Sequence, residues 1–304
     1  MLNRDVERHV ALRRALGFKF SHEARMLRQF ADFATAHGDA FVRIERVLAW
    51  AAQTSSAVMR HTRVARVRRF AIAMQAEDPR HEVPSRDCAG WTHTVRKAPY
   101  IYTPEEIGQL MAAAGRLPAD GWFAPGTFTT LLGLLASTGL RISEAMALEC
   151  PDLVETGLFI HNSKHGKSRL LSLHATTRSA LETYLGERVR RHVSTRAMFV
   201  SSPGRPLKYQ TVRSTFRRVL EHAGFRPAAG GTWPRMHDLR HTFAVRSLEQ
   251  CRHDRAAVAR HMAALSLYLG HTNVTDTYWY LEATPVVMGK IAEAGEAAYK
   301  GDGV

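Results

Sequence analysis

The chain has 304 residues, with 42 Lys and Arg against 28 Asp and Glu, a formal net charge of +14 and a pI near 10.2. This length favours two domains, and a composition that is 45% hydrophobic and 23% charged excludes a collagen-like, low-complexity or wholly disordered protein. The positive charge favours a polyanionic partner, and nucleic acid best of these. The three cysteines are far apart, so they predict neither a disulfide framework nor a Cys-x-x-Cys metal site.

The apolar segments are too short to predict a membrane protein. The longest one, residues 127–140, is interrupted by Thr and Gly and falls short of the roughly 20 residues that a membrane span needs. The first ten residues contain no apolar core of a signal peptide. We therefore expect no membrane partner and a cytoplasmic location, in the bacterial cytosol or nucleoid.

Residues 1–90 are predicted to be all-helical. Hydrophobic periodicity and helix-ending glycines predict helices over about 6–16, 21–38, 42–52 and 55–75. The fourth is unusually basic, with no acid between Glu45 and Glu77. Such a surface favours a helix that follows DNA phosphates over an ordinary solvated face. Its candidate DNA-binding residues are Arg60, Arg63, Arg66, Arg68 and Arg69.

A linker and then a new helix are predicted next. Residues 78–102 contain three prolines and no helical period, which is typical of a linker. Thr103 then has the position of an N-cap, Pro104 the first helical position, and Glu106 that of a capping-box acid. The helix is expected to end at Gly115, and a domain boundary is expected near residue 100.

The remainder is predicted to be mainly helical, with one β-hairpin. Residues 158–173 have apolar ends around a polar turn that contains Gly166, which is typical of a hairpin. Other expected elements are helices over 127–137, from 141, over 176–191, over 209–224 and from 236, and a strand over 198–200. Around the helix at 209–224, the additional DNA-binding candidates are Lys208, Arg213 and Arg217.

Three segments carry a recognisable order of residues: TGLRISEAMAL (138–148), HDLRHTFA (237–244) and LGHTNVTDTYWYLEATP (269–285). Together with a lysine in the hairpin they resemble the tyrosine recombinase, or phage integrase, family, which cleaves and rejoins DNA through a 3′-phosphotyrosine. The resemblance covers nearly the whole chain. It implies a mainly α fold with a small β-hairpin or sheet.

In domain terms, the resemblance implies an N-terminal helical, SAM-like core-binding domain over 1–90, a linker over 91–102 and an α+β catalytic domain over 103–284. The C-terminal helix or tail over 285–304 is expected either to be exchanged between protomers or to pack on its own domain. The two domains are expected to enclose duplex DNA from opposite sides.

The resemblance also implies catalytic roles, which it assigns to Arg141, Lys164, His237, Arg240, His271 and the nucleophile Tyr280, with Glu144 as a supporting acid. Two forked arginines can neutralise the charge that a phosphodiester gathers under attack. His237 is the candidate base for the phenol, Lys164 the candidate acid for the leaving 5′-oxygen, and His271 a candidate ligand of a phosphate oxygen. A covalent intermediate needs neither a cofactor nor a metal.

Two features of the C-terminal part leave alternatives open. A continuous helix from His271 would place Tyr278 beside it, whereas a new N-cap at 273–276 and the family spacing select Tyr280. In addition, 30 residues separate Arg240 from His271. This is more than the family usually has, so a lengthened helical segment is predicted over 242–270.

The expected function is site-specific cleavage and rejoining of double-stranded DNA that serves integration or transposition of a mobile element. The expected assembly is a homotetramer on two DNA sites, or an assembly with related recombinases. The alternatives are a non-catalytic DNA-binding protein of integrase fold and a type IB topoisomerase. A metal-dependent hydrolase is a third, because HDLRH resembles H-E-x-x-H; its Asp238, however, is one methylene shorter than the Glu which that chemistry needs.

Overall fold

A computed structural model of the chain describes residues 1–88, 90, 98–118, 124–161, 168–201, 204–227, 232–250 and 255–270. The chain divides into two compact units, residues 1–97 and residues 98–304. Among the described residues, no helix is both long enough and apolar enough to cross a bilayer.

The first unit is a bundle of four helices, α1 (Leu2–Ala15), α2 (Ser21–Ala36), α3 (Ile44–Ala52) and α4 (Ala57–Gln75). The four predicted helices are therefore confirmed, with ends shifted by a few residues. Each helix buries one face in a common core. Phe30 of α2 meets Trp50 of α3 edge to face at 5.5 Å between ring centroids, and Phe70 of α4 is fully buried.

Residues 78–88 are packed onto this bundle, so the prediction of a linker that starts at residue 78 is wrong. His81 is buried, and its Nδ1 lies 3.2 Å from the amide of Val42. The carboxylate of Glu82 accepts from the amide of Ile44 at 2.7 Å and so caps the start of α3. The prolines of this segment prevent a helix. Its side chains, those of His81 and Glu82, bind backbone amides of the bundle instead. Residues 91–97 of the predicted linker lie outside the described residues.

The second unit is mainly helical, with two small antiparallel sheets. Its helices are α5 (Pro104–Gly115), α6 (Ala124–Thr138), α7 (Ile142–Ala147), α8 (Ala175–Arg190), α9 (Tyr209–His222), α10 (Met236–Glu249) and α11 (Arg255–Leu269), with a 3₁₀ turn at Cys150–Asp152. Its strands are β1 (Leu153–Val154), β2 (Gly157–Ile160), β3 (Arg169–Leu171), β4 (Val200–Ser201) and β5 (Arg205–Pro206). The predicted fold class is confirmed.

The hydrogen bonds at the start of α5 show why the local sequence could predict where the first helix of the second unit begins. Thr103 Oγ1 accepts from the amide of Glu106 at 3.1 Å, and Glu106 returns the bond by accepting from the amide of Thr103 at 2.8 Å. This is the predicted capping box. Just before it, Tyr102 is fully buried and its amide donates to Thr242 Oγ1 at 3.0 Å, so α10 holds the entering chain.

The predicted hairpin is confirmed as β2 and β3, which pair antiparallel with Leu158 opposite Leu171 and Ile160 opposite Arg169. Strand β1 adds to the other edge of β2. The apolar residues Leu158, Ile160 and Leu171 turn into the core. The strand predicted at 198–200 is found at Val200–Ser201, where it pairs with β5.

The core of the second unit is built around α6, which packs against α5, α8 and α10. Leu131, Leu134 and Leu135 of α6 are all at least 99% buried. This apolar helix ends one residue before Gly139, which leads directly to Arg141. The core therefore fixes where the candidate site begins.

Candidate active site

Arg141 and Glu144 form the first part of the site at the start of α7. Arg141 occupies the N-cap position, and Glu144 reaches back to it. Glu144 Oε2 accepts from the Arg141 amide at 3.1 Å, and Oε1 accepts from Arg141 Nη1 at 2.9 Å. An acid in the first turn also suits the positive end of the helix dipole. Glu144 thus fixes the arginine through its backbone and its guanidinium.

Arg240 lies on α10 with only 2% of its surface exposed. Its Nη1 donates to the carbonyl of Gly139 at 2.7 Å, and its Nη2 donates to the carbonyl of Leu269 at 2.8 Å. Gly139 has a φ of +62°, and a Cβ there would lie 2.6 Å from Phe243. Only glycine fits this close approach, which presents its carbonyl to the guanidinium.

The end of α11 brings the two predicted arginines together. Arg141 Nη1 lies 3.4 Å from the carbonyl oxygen of Leu269, the same atom that accepts from Arg240. Arg141 Nη2 also donates to the carbonyl of Gly270 at 3.1 Å. Both guanidiniums therefore lie within hydrogen-bonding distance of one oxygen atom, although their positions in the sequence are 99 residues apart.

A third arginine, Arg169 on β3, belongs to the same cluster and was not predicted. Its Nη1 and Nη2 bind Glu144 Oε1 and Oε2 at 3.2 and 3.0 Å, and its Nε donates to the carbonyl of Tyr268 at 2.9 Å. The only sequence signal was its place in a strand of the hairpin. Nothing local indicates that it would face an acid 25 residues earlier.

Glu144 remains ionised inside this cluster. Burial by itself raises the pKa of the carboxyl, but the hydrogen bonds and charges of Arg169 and Arg141 outweigh burial and bring the pKa below its usual value. The buried carboxylate therefore carries a negative charge between two guanidiniums.

His237 occupies the second position of α10, one turn from Arg240. Burial, followed by the positive charge of Arg240, lowers the pKa of His237 below its usual value, against the opposing charge of Asp238. The imidazole is thus held neutral near pH 7 and can accept a proton. Its ring meets that of His241 edge to face at 4.6 Å.

Asp238 does not have the role that a hydrolytic H-E-x-x-H helix would give its acid. It is 2% exposed, accepts from the amide of Arg235 at 2.7 Å and from Arg235 Nη2 at 2.8 Å, and so caps α10. Within the described ranges, no group of three His, Cys, Asp or Glu side chains could hold a metal ion.

The remaining predicted catalytic residues, Lys164, His271 and Tyr280, lie outside the described residues, as do Gly166, Tyr278 and the tail 285–304. Described residues of the site adjoin two of these gaps. His271 directly follows Gly270, whose carbonyl binds Arg141, and Lys164 belongs to the segment between β2 and β3. The segment predicted to be lengthened, 242–270, is helical in its described parts, α10 and α11.

Three of the five predicted arginines on α4 bind the first unit itself. Arg60 donates to the carbonyl of Ser55 at 2.9 Å, Arg63 donates to that of Trp50 at 2.8 Å, and Arg66 pairs with Glu23 at 3.1 Å. The guanidinium of Arg63 also lies over the Trp50 ring at 4.7 Å. These contacts anchor α4 to the bundle. The other two, Arg68 and Arg69, line a groove of about 520 Å³ together with Arg86.

The three candidates around α9 are exposed: Lys208, Arg213 and Arg217. Arg217 pairs with Glu221 at 2.8 Å and its guanidinium lies 3.3 Å from the centroid of the Trp233 ring. Arg213, Arg217 and Trp233 line a groove of about 740 Å³ whose wall also includes His237. A basic and aromatic surface is therefore continuous with the candidate base.

Residues 101–285 match the model of the phage integrase family. A putative integrase/recombinase, y4rB of Sinorhizobium fredii (strain NBRC 101917 / NGR234), is 36% identical over 294 residues, 93% of this chain and 93% of that protein. The chain belongs to the phage integrase family. It is thus a tyrosine recombinase, as its motifs predicted. The tyrosine recombinase XerD of Mycobacterium tuberculosis (strain CDC 1551 / Oshkosh) is 34% identical over 62% of this chain and 58% of its own length.

Solved structures show the same fold. A lambda integrase dimer bound to a core site has a TM-score of 0.65 and 18% identity, over 92% of this recombinase and 94% of that chain. The Tn1549 transposon integrase in complex with transposon right end DNA has a TM-score of 0.63 and 16% identity, over the same shares of the two chains. Both similarities extend over more of the chain than the family match at residues 101–285.

The end of α11 yields a testable consequence for stability. Gly270 has a φ of +67°, and a Cβ there would lie 2.8 Å from Arg169 Nη1. Gly224 has a similar φ of +83° but open space around it. Both alanine substitutions should cost about 1–2 kcal/mol of backbone strain. We expect Gly270→Ala to lower the free energy of unfolding in urea by about 1 kcal/mol more than Gly224→Ala, because it also displaces a buried charged hydrogen bond. Equal losses would contradict the packing described for Arg169.

Proposed function

We propose that this recombinase cleaves and rejoins double-stranded DNA at specific sites through a 3′-phosphotyrosine at Tyr280, and that it serves integration or transposition of a mobile element. One observation carries the proposal: Arg141 and Arg240 both reach the carbonyl oxygen of Leu269. Two forked guanidiniums that converge on one oxygen are suited to a phosphate with negative charge on its non-bridging oxygens.

In the proposed cleavage step, the Tyr280 oxygen attacks phosphorus, a phosphorus–tyrosine bond forms, and the bond to the 5′-oxygen breaks. His237 takes the phenol proton, Lys164 gives a proton to the 5′-oxygen, and His271 binds a phosphate oxygen. Rejoining is the reverse, with a 5′-hydroxyl as the attacking group. Since the tyrosyl ester retains the phosphodiester bond energy, each cycle returns an intact strand.

The proposed partners are double-stranded DNA and further copies of the chain, as a tetramer on two sites, or related recombinases. We assign DNA binding to the region 1–90, linkage to 91–102, catalysis to 103–284 and a C-terminal contact to 285–304. The last residue of this linker, Tyr102, is already buried in the core of the second unit. The named relatives support the proposed activity and DNA as the partner: one is a putative integrase/recombinase, and one solved neighbour is a transposon integrase with transposon end DNA. A lambda integrase tetramer bound to a Holliday junction has the same fold at a TM-score of 0.64.

The test of the proposal is covalent capture. The substrate is a nicked duplex that carries repeats found by sequencing the DNA on either side of the gene. It loses a short piece on cleavage, so the enzyme remains attached. We expect the unaltered chain and Tyr278→Phe to form the DNA adduct, and Tyr280→Phe to form none, since only position 280 supplies the attacking oxygen. Peptide mapping should place the nucleotide on residue 280.

The outcomes of this experiment separate the alternatives. DNA binding without any adduct would favour a non-catalytic DNA-binding protein of integrase fold. Relaxation of plasmids that lack the repeats would favour a type IB topoisomerase. An adduct that survives Tyr280→Phe but not Tyr278→Phe would transfer the nucleophile to position 278.

The lowered pKa of His237 predicts a pH profile. Below its pKa the imidazole is protonated and cannot accept the phenol proton, so the cleavage rate falls with decreasing pH. Because burial and the charge of Arg240 lower that pKa from its usual 6.5, we expect the rate at limiting DNA concentration, which reports groups of the free enzyme, to reach half its plateau only below pH 6.5. A half-maximal rate already above pH 7 would show that another group is titrating. His237→Asn should remove this decline and lower the plateau.

The two groups of arginines on α4 predict different effects on DNA binding. Arg69 is exposed and makes no ion pair in the described part of the chain, so Arg69→Ala should weaken DNA binding and reduce the slope of log affinity against log salt by about 1. Arg4→Ala on α1 removes the same charge from an exposed site outside the groove, and we expect it to leave the slope unchanged. Fluorescence anisotropy over a salt series measures both, and equal slopes for the two variants would contradict a phosphate contact at Arg69.

A further inference from the structure

The unpredicted arginine of the site connects three elements that the sequence keeps apart. Arg169 lies on β3, its guanidinium binds Glu144 on α7, and its Nε binds the carbonyl of Tyr268 on α11. We propose that Arg169 is a positioning residue for strand cleavage: it sets the orientation of Arg141 through Glu144 and holds the end of α11 from which the chain continues to His271. The proposal rests on the proposed function.

The contact of Arg169 with Glu144 involves both oxygens of the carboxylate. Arg169 takes both carboxylate oxygens, at 3.2 and 3.0 Å, and each oxygen also accepts from Arg141, through Nη1 at 2.9 Å and the backbone amide at 3.1 Å. A carboxylate held by a parallel pair of donors cannot rotate without breaking both bonds. The direction in which Glu144 presents its oxygens to Arg141 is therefore set by Arg169.

Arg169 also sets the net charge of this cluster. Arg141 and Arg169 supply two positive charges and Glu144 one negative charge, so the trio is net positive. With Arg169 replaced by a neutral residue, Arg141 and Glu144 would form a neutral pair. Arg141 would then offer less attraction to a phosphate at the moment when charge accumulates on it. Arg169 thus neutralises the negative charge of Glu144, so that the positive charge of Arg141 remains available to attract a phosphate.

The position of Arg169 indicates that it acts through other residues. Its side chain is 14% exposed and that of Glu144 is 5% exposed, so the ion pair is enclosed. A Cβ at Gly270 would lie 2.8 Å from Arg169 Nη1, which means that the absence of a side chain at Gly270 leaves room for the guanidinium. The same guanidinium thus lies against the residue that precedes His271. Because Arg169 also opposes Ile160 in the hairpin, it lies near the strand ends that lead to the segment with Lys164.

The experiment separates the cleavage rate from DNA affinity. Arg169→Gln removes the charge and the paired bonds, whereas Arg169→Lys retains the charge alone. With a nicked duplex at saturating concentration, we expect Arg169→Gln to slow adduct formation by roughly 10- to 100-fold and Arg169→Lys to recover part of that loss, while Kd changes less than about threefold, because misplacement of a catalytic group lowers the rate without removing a DNA contact.

Arg178 supplies the matched control. It lies on α8 and its Nη2 donates to the carbonyls of Val154 and Glu155 at 2.6 and 2.8 Å, so it also fixes backbone near the hairpin but makes no contact with Glu144. We expect Arg178→Gln to cleave within about threefold of the unaltered chain. An equal loss in the Arg178 and Arg169 variants would overturn a specific positioning role.

A double-mutant cycle tests whether the effect of Arg169 on the cleavage rate depends on Glu144. A residue with a merely structural role would not show this dependence. If Arg169 acts mainly through Glu144, Arg169→Gln should slow cleavage several-fold less in a Glu144→Gln background than in the unaltered background, and the loss that remains reports the bond to Tyr268. Multiplicative losses in the double variant would overturn the proposal. If Arg169→Gln fails to fold, the same cycle with Arg169→Lys decides the question.

The two proposals fail in different ways. If the unaltered chain forms no adduct at Tyr280, the proposed function fails. If it forms the adduct and Arg169→Gln does so at the same rate, only the positioning role of Arg169 is overturned.

Discussion

The C-terminal end of α11 is the point on which the described site depends. A helix leaves its last carbonyls without partners inside the helix, and these carbonyls carry the negative end of its dipole. Here the carbonyls of residues 268–270 accept from three guanidiniums that come from a hairpin strand, the start of α7 and the middle of α10. The free end of one helix thus collects arginines from three distant parts of the chain.

This arrangement concentrates positive charge in a buried place, where a charged group without partners would be unfavourable. A buried cation needs an anion or oriented dipoles close by, and the cluster has both, in the carboxylate of Glu144 and the carbonyls of α11. The same positive field, together with burial, keeps His237 neutral. One electrostatic arrangement therefore provides guanidiniums that are always charged and an imidazole that is uncharged near neutral pH, which are the two conditions of the proposed cleavage step.

The arginines of α4 fall into two groups that composition does not separate: those bound within the bundle and those in a groove. On α4, Arg60, Arg63 and Arg66 bind carbonyls or an acid of their own bundle, whereas Arg69 is exposed in a groove. All of these residues looked alike in the sequence because helical periodicity assigns a face but does not identify the neighbour on that face. The packing of residues 78–88 was missed for a similar reason: the prolines indicated an irregular backbone correctly but gave no indication of the burial of His81.

The sequence by itself determined the helices, the capping box of α5, the hairpin and the family, because each depends on residues close together in the chain or on motifs in a fixed order. Lys164, His271 and Tyr280 remain sequence predictions. Only the tertiary structure decided that Arg141 and Arg240 meet at Leu269, that Arg169 joins them, and which arginines of α4 are already occupied. Those contacts link positions far apart in the sequence, and their geometry is set by how the core packs around α6 and where α11 ends, neither of which is written in any local pattern.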